Sequence, residues 1–387
     1  MSEQNLMDLV AGYREARQAK QALEQSGSDF YEIRGEVGNM VVQLHPKRLQ
    51  LEVAEIIEET SSTRTLRMVA ADRKVLPPFL AGQYINLFVD IDGVATARPY
   101  AISSPPSQQG YYDLTVKRAR DGYVSSYLLD RVVVGQRLLS SGPMGTFHHN
   151  PLYHGDDLVF LAGGSGSAPA RSILQDLLDR GLAHRFHLVY VNSHLDDVIF
   201  DEAFRALARR HEHFTLSQVI SRPPADYRGH AGRLNETLLQ ALLGDLGDKM
   251  FYICGPTPFN DHCIELLTAL GVKRRRIRVE ANGAPKAPHE QPGWPEGVTL
   301  DDEVLVTVQG RGAFKSRVGE PLLNALERNG YFAENACRSG ECSLCRVKLV
   351  SGSVFNPREA HLRKSDRDFD WFYSCVAFPT ADIEILL

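Results

Sequence analysis

Residues 337–345 read Cys337-Arg338-Ser339-Gly340-Glu341-Cys342-Ser343-Leu344-Cys345, and a fourth cysteine, Cys375, follows further along the same block. The spacing is C-x4-C-x2-C and then a distant cysteine. Thiolates are the ligands that iron in Fe–S clusters requires, and this spacing is that of a [2Fe–2S] ligand set. Three close ligands let one tight loop wrap a cluster, and Cys375 closes it from a distant strand. Ser339, Gly340 and Ser343 are small, so backbone amides can approach the sulfur atoms, where hydrogen bonds tune the potential. Zinc is the rival reading, but structural zinc favours two C-x2–4-C pairs, and here one half would be a lone cysteine. The expected metal ligands are Cys337, Cys342, Cys345 and Cys375, and the expected chemistry is one-electron transfer.

Around this loop lies a block of residues 298–387, with a strand at Val304–Val308 and a helix from Pro321 to Arg328 ahead of the cysteines. Upstream, residues 283–297 contain Pro285, Pro288, Pro292 and Pro295 and read as a semi-stiff tether. Before it, residues 153–282 alternate strand and helix. Leu158–Leu161 is a buried strand, followed by a glycine-rich turn and a helix around Ala170–Leu178. Strands at His187–Val191 and Met250–Cys254 follow, with helices near Phe200–Arg210 and Leu234–Leu243. That alternation implies a parallel sheet with helices on both faces. Residues 48–152 show short apolar alternations at Leu49–Ile56, Thr63–Val69, Tyr84–Val89 and Tyr112–Lys117, broken by turn signals, as in an antiparallel β-barrel. Residues 1–47 form a leader in which Leu6, Val10, Tyr13 and Ala16 stand at helical spacing. The expected fold is multidomain: a barrel, an α/β parallel-sheet domain and a C-terminal α+β domain.

The chain has 387 residues and a net charge of −5, so nothing points to nucleic acid. No apolar run is long enough for a transmembrane helix, and the N-terminus lacks the pattern of a secretory signal. Six cysteines, clustered in so long a chain, suggest ligands in a reducing cytoplasm and not disulfides.

A cluster takes one electron at a time, whereas a nicotinamide delivers a hydride pair, and flavin is the cofactor that divides the pair. The barrel is therefore expected to carry a flavin site. Arg98-Pro99-Tyr100-Ala101-Ile102-Ser103-Ser104 offers a cation for phosphate, an aromatic ring for the isoalloxazine and nearby hydroxyls. Gly122-Tyr123-Val124-Ser125-Ser126 offers a turn with free amides suited to a phosphate, and Gly142 to Phe147, including Thr146, closes the barrel. The nicotinamide site is expected at Ala162-Gly163-Gly164-Ser165-Gly166-Ser167-Ala168-Pro169, which follows a strand and opens a helix. Cys254-Gly255-Pro256, ending a later strand, strengthens this, although a buried small hydrophobe is the plain reading of both Cys254 and Cys263. Carboxylates at Asp196 and Asp197 repel a ribose 2′-phosphate and favour NADH; Arg222 leaves NADPH open.

The C-terminal block resembles the plant-type ferredoxin domain. Gly319 to Leu326 matches the helix that precedes the cluster loop in that family, Cys337 to Val347 matches the loop, and Tyr373-Ser374-Cys375 resembles the strand bearing the last ligand. Ser343 and Leu344 stand where Gly and Thr are commoner. The barrel and α/β blocks together resemble the ferredoxin–NADP reductase superfamily, whose flavin motif is usually Arg-x-Tyr-Ser; here Ala101 replaces the serine, with Ser103 the candidate substitute. In that superfamily the Cys-Gly-Pro triplet lies beside the nicotinamide, which implies an active-site role for Cys254. Glu280 matches an acidic residue near the flavin, although Ala281-Asn282 follow where the family has a phenylalanine. The domain order is that of phthalate dioxygenase reductase-like proteins, which implies FMN, while FAD stays open.

The resemblance implies an oxidoreductase that passes electrons from NAD(P)H through flavin and a [2Fe–2S] cluster to a separate terminal oxygenase or hydroxylase. A non-oxygenase acceptor, such as an anaerobic metalloenzyme or a corrinoid protein, and a redox-sensing protein are the alternatives. A cluster domain tethered behind the proline-rich linker is part of this expectation.

Overall fold

Strand β1, Leu49–Thr60, alternates Leu51 and Val53, both fully buried, with polar residues between them, the period-two pattern of a half-buried strand. The computed structural model describes residues 12–25, 38, 41, 44, 46–72, 75–120, 122–280 and 283–387, in two units, Met1–Lys47 and Arg48–Leu387. In the first unit a helix spans Tyr13–Gln25; Leu6 and Val10 of the expected stripe lie outside the described residues.

The barrel continues with β2 (Thr63–Ala70), β3 (Tyr84–Ile91), β4 (Val94–Ala101), β5 (Tyr112–Lys117) and β6 (Arg137–Ser140), ordered β4-β3-β6-β1-β2-β5. The Asp92-Gly93 turn between β3 and β4 has φ of +54° and +85°, the geometry of tight hairpins that follow the sheet's twist. Ile102 bridges Leu114 beyond the end of β4, bringing the two outermost strands together. Strand β4 carries Arg98 and Tyr100 on one face. A helix, Tyr123–Asp130, takes the place of the turn expected at Gly122–Ser126, with Gly122 as its N-cap.

The second domain holds β7 (Asp157–Gly163), β8 (Arg185–Asn192), β9 (Phe214–Ile220), β10 (His230–Ala231), β11 (Met250–Cys254) and β12 (Ile277–Glu280). Its order is β10-β9-β8-β7-β11-β12, every pair parallel. The chain runs outward on one side of β7 and then crosses to the other, so the carboxyl ends of β7 and β11 flank the crevice where ligands of open α/β sheets bind. Two apolar clusters, one on each face of this sheet, form its core. Cys263 is fully buried in one of them, as its plain reading anticipated.

The third domain has β13 (Glu303–Val308), β14 (Gly312–Arg317), β15 (Arg346–Ser351), β16 (Val354–Phe355), β17 (Trp371–Tyr373), β18 (Phe378–Pro379) and β19 (Ile383–Leu386). Its main sheet runs β14-β13-β19-β15-β17 around the helix Leu322–Arg328. The proline-rich segment is not a loose tether. Trp294 packs edge-on against Phe355, with ring centroids 5.1 Å apart, and against Phe378, and its Nε1 donates to the Val298 carbonyl at 2.9 Å. Arg358 reaches Asp261 of the second domain at 2.7 Å. Ring packing and hydrogen bonds thus fasten a segment whose composition alone suggests a semi-stiff tether. Among the described residues no helix is long and apolar enough to cross a membrane.

Candidate functional site

Cys254 stands opposite Ala162 in the pairing of β11 with β7, so the turns that follow these strands face each other. They are close. A Cβ on Gly166 would lie 1.8 Å from the Cys254 carbonyl oxygen, a distance no side chain tolerates. The ring of Phe259 lies against both Gly163 and Gly255, and the Tyr190 hydroxyl donates to the Gly164 carbonyl at 3.0 Å. Pro256 caps the helix Thr257–Ala269. The turn after β7 therefore presents its backbone at a helix start, where amides and the helix dipole favour an anion.

A cavity of about 170 Å³ opens here, and all three domains line it. The barrel supplies Gly82, Tyr84, Tyr100, Ala101, Thr115 and Lys117; the second domain supplies Ser165, Gly166, Pro169, Cys254 and Glu280; the third supplies Cys337. Next to it, Tyr100, Lys117 and Cys337 also line a cavity of about 560 Å³ that includes Arg98, Gly122, Val124, Ser125, Arg338 and Cys375. The two hollows thus share a wall, and Cys337 of the cysteine loop forms part of both.

Three expected residues stand elsewhere. Ile102 is fully buried in the barrel core. Ser103 turns its hydroxyl onto the Asp113 carbonyl at 3.1 Å and Thr115 Oγ1 at 2.9 Å, so it braces Thr115, which lines the cavity and which sequence reasoning missed. The strand's alternation explains this: Ala101 and Ser103 share one parity, but the chain has left β4 by Ser103. Thr146 lines a separate cavity of about 480 Å³ with Asn260, Glu280 and Glu341. The Ser125 hydroxyl accepts from the Ala119 N–H at 3.1 Å, which fixes the turn before its helix.

Charge in the larger cavity is unbalanced. Arg98 lies among the Thr96 hydroxyl, the Ala97 carbonyl and Glu327, and burial, then the charge of Arg338, lower its pKa to about 10. Two guanidiniums share one carboxylate, so the pocket has cationic surplus for an anionic group such as a phosphate. Beside the smaller cavity, burial first, then Glu341 and Cys337, raise the Glu280 pKa to about 8. The Ala281-Asn282 step falls outside the described residues.

The four thiols touch in sequence, Cys342 to Cys337, Cys337 to Cys375, and Cys375 to Cys345. The contacts with Cys342 and Cys375 pull the Cys337 thiol well below its ordinary value although burial opposes them. The N–H groups of Ser339 and Cys342 point at its sulfur, both at 3.4 Å. Arg338, Gly340 and Ser343 have positive φ, the tight winding that turns successive amides inward, and a Gly340 Cβ would meet the Glu359 carbonyl at 2.4 Å. Among the described residues no group of three or more His, Cys, Asp or Glu side chains is arranged around a lone metal ion; the ligand type and spacing, with amides turned toward the sulfur, are those of an iron–sulfur loop. The loop fits a [2Fe–2S] cluster. Tyr84 packs on Ala336 and Cys337, with Met144 and Cys342 beside them, which places one aromatic ring between the loop and the barrel.

Three family models match the chain in order: an oxidoreductase FAD-binding domain over residues 50–149, an oxidoreductase NAD-binding domain over 160–264, and a 2Fe-2S iron–sulfur cluster binding domain over 306–380. The chain is 32% identical over 352 residues to the ferredoxin reductase component of 3-ketosteroid-9-alpha-monooxygenase from Mycolicibacterium smegmatis, covering 86% of this chain and 95% of that protein. It is 29% identical to the glycine betaine monooxygenase reductase subunit of Pseudomonas aeruginosa, covering 86% and 93%, and 29% identical to NADH oxidoreductase HCR of Escherichia coli, covering 86% and 96%. Phthalate dioxygenase reductase shares the fold, with a TM-score of 0.65 at 19% identity over 88% of this chain and 97% of that one.

Proposed function

The chain belongs to the ferredoxin–NADP reductase superfamily, in the domain order of phthalate dioxygenase reductase, and from that premise we propose that its electrons go to a separate oxygenase component. It is an oxidoreductase with FAD-binding, NAD-binding and [2Fe–2S] domains. Flavin supplies the exchange between paired and single electrons, and the cluster carries single electrons onward. The observation that carries the reading is the wall shared by the two cavities, where Tyr100, Lys117 and Cys337 meet.

The chain's own residues divide the work. Arg98 and the helix start at Gly122, Val124 and Ser125 hold the flavin's phosphate; Tyr100, Ala101 and Thr115 wall its ring. Gly163, Gly164, Gly166 and Pro169 cradle the nucleotide's pyrophosphate. Cys254, Gly255 and Pro256 wall the nicotinamide, while Glu280 closes the site against water. Cys337, Cys342, Cys345 and Cys375 hold the iron. NADH is the preferred reductant, a reading supported by the exposed carboxylate of Asp196 after β8, and the clustered cysteines, assigned as ligands, favour a reducing cytoplasm. The test is reconstitution: NADH, this protein and a candidate oxygenase component sought among the neighbouring genes should couple NADH oxidation to substrate hydroxylation. NADH-driven cytochrome c reduction without any coupling to that oxygenase would direct the reading to another acceptor.

A further inference from the structure

One buried carboxylate stands at the junction that fastens the third domain to the barrel. Glu327 lies in the helix Leu322–Arg328, whose residues pack against β4, the strand that carries Arg98 and Tyr100. Its Oε1 accepts Arg338 Nη1 at 2.7 Å and its Oε2 accepts Arg338 Nη2 at 2.8 Å. This two-pronged pair is almost buried, with 9% and 7% of the side chains exposed. Arg338 directly follows the cluster ligand Cys337. The same Oε2 accepts the Thr96 hydroxyl of β4 at 2.8 Å and lies 4.0 Å from Arg98 Nη1.

Arg338 completes the junction from its own side. Its Nη1 donates to the Ala97 carbonyl of β4 at 2.8 Å, and its Nη2 to Asn324 Oδ1 at 2.8 Å. Asn86 of β3 adds a bond from its Nδ2 to the Asn335 carbonyl at 2.9 Å. Every donor of a guanidinium buried this deeply needs an acceptor, because an unpaired buried charge is strongly unfavourable. Here the acceptors come from two domains at once. Separating the domains would strip Arg338 of Ala97 and leave Glu327 without Thr96.

We propose that Glu327 is a positioning residue which clamps the cluster loop against the flavin-binding strand, so that the cluster accepts electrons from a docked and not a swinging domain. The proposal rests on the electron path described above and adds to it the device that holds its second half in place. One charge does two tasks: it neutralises the cation beside Cys337, and it anchors the strand whose Arg98 faces the flavin's phosphate. Electron transfer between the two cofactor sites falls off steeply with separation, so this junction governs the rate of that step far more than that of hydride transfer.

The test uses the full cofactor-loaded chain and Glu327→Gln, which keeps the shape and removes the charge. Hydrogen–deuterium exchange in residues 94–100 and 335–339 should rise at least tenfold. In stopped flow, reduction by NADH followed at the flavin's absorbance should stay within about threefold of the parent, while appearance of the reduced cluster's EPR signal slows at least tenfold. Because the charge change could prevent folding, Thr96→Val serves as the second variant: it leaves the Glu327–Arg338 pair intact, removes one cross-domain bond and takes one acceptor from Arg98. It should raise exchange at 94–100 and slow cluster reduction by about threefold. Unchanged exchange and unchanged cluster reduction in both variants, or in Thr96→Val alone where Glu327→Gln does not fold, would overturn the proposal. If NADH fails to reduce the cluster in the parent protein, the electron path itself is wrong, and the exchange data then decide the clamp by themselves.

Discussion

Lys117 Nζ lies 2.8 Å from Asp197 Oδ2, an ion pair that ties the end of β5 to the turn after β8. Thr60 and Ser62 donate to the other carboxylate oxygen at 2.6 and 2.7 Å. Lys117 also lines both cavities, so its cation is held in place by a residue of the second domain. Sequence reasoning assigned Asp197 to the choice of nucleotide; the structure uses it to fasten two domains.

Asp197→Asn should therefore lower the free energy of unfolding by about 1 kcal/mol, since both side chains are about a quarter exposed and water screens the pair. Burial opposes ionisation of Asp197, but bonds from Lys117, Thr60 and Ser62 outweigh it and hold the carboxyl below its usual range. Its contribution is accordingly present above the ordinary carboxylate pKa and is lost as pH falls through the lower, folded value. Urea titration of parent and variant at neutral and acid pH measures both effects; identical midpoints at neutral pH would show that the clasp contributes nothing.

With Asp197 engaged, Asp196 is the exposed carboxylate of that turn. Asp196→Ser should raise kcat/KM for NADPH about tenfold and change that for NADH little, because it removes the charge that repels a 2′-phosphate. Steady-state kinetics with both nucleotides decides this, and a ratio unmoved by the substitution rules Asp196 out as the selector.

Gly166→Ala places a methyl group where the Cys254 carbonyl already stands, 1.8 Å from the new Cβ. The turn must move, so NADH KM should rise at least tenfold, with a stability loss of about 1–3 kcal/mol typical of overpacking. Calorimetric binding of NAD+ together with thermal unfolding would read out both.

Cys342→Ala should remove the cluster's visible and EPR signatures and reduce cytochrome c reduction at least a hundredfold, while NADH-driven ferricyanide reduction at the flavin survives. Since Cys342 packs beside Tyr84 of the barrel, the remaining activity should fall by a few-fold and not stay untouched. Complete loss of ferricyanide reduction would mean that flavin binding depends on the loop.

His187 is half-buried beside Ser217 Oγ at 2.9 Å, and burial, then Lys249, lower its pKa to about 4. The folded state resists protonation that the unfolded chain accepts below an ordinary value of 6.5. Stability from this group is complete above that value and declines as pH falls toward 4, by up to about 3 kcal/mol in total. His187→Gln should flatten that part of the acid limb in urea titrations between those two pH values.

What was legible in the sequence was local. Four cysteines at their spacing, the Arg98-Pro99-Tyr100 strand, the glycine turn after β7 and Cys254-Gly255-Pro256 each carry their chemistry within a few residues, because ligand spacing, strand alternation and close backbone approach are short-range constraints. The alternation of strands and helices likewise determined the three domains. What only the tertiary structure decided is how these pieces face one another. Ser103 turns into the barrel and Thr115 takes the wall, since strand ends and curvature set which side chains reach a cavity. The proline-rich segment looks free by composition, but Trp294 finds Phe355 and Phe378 more than fifty residues away in the chain. Cys337 lines a cavity with Tyr100 and Lys117 of the barrel, and Glu327 and Arg338 find partners on β4; such pairings depend on desolvated geometry between residues far apart in sequence, where no local pattern records them.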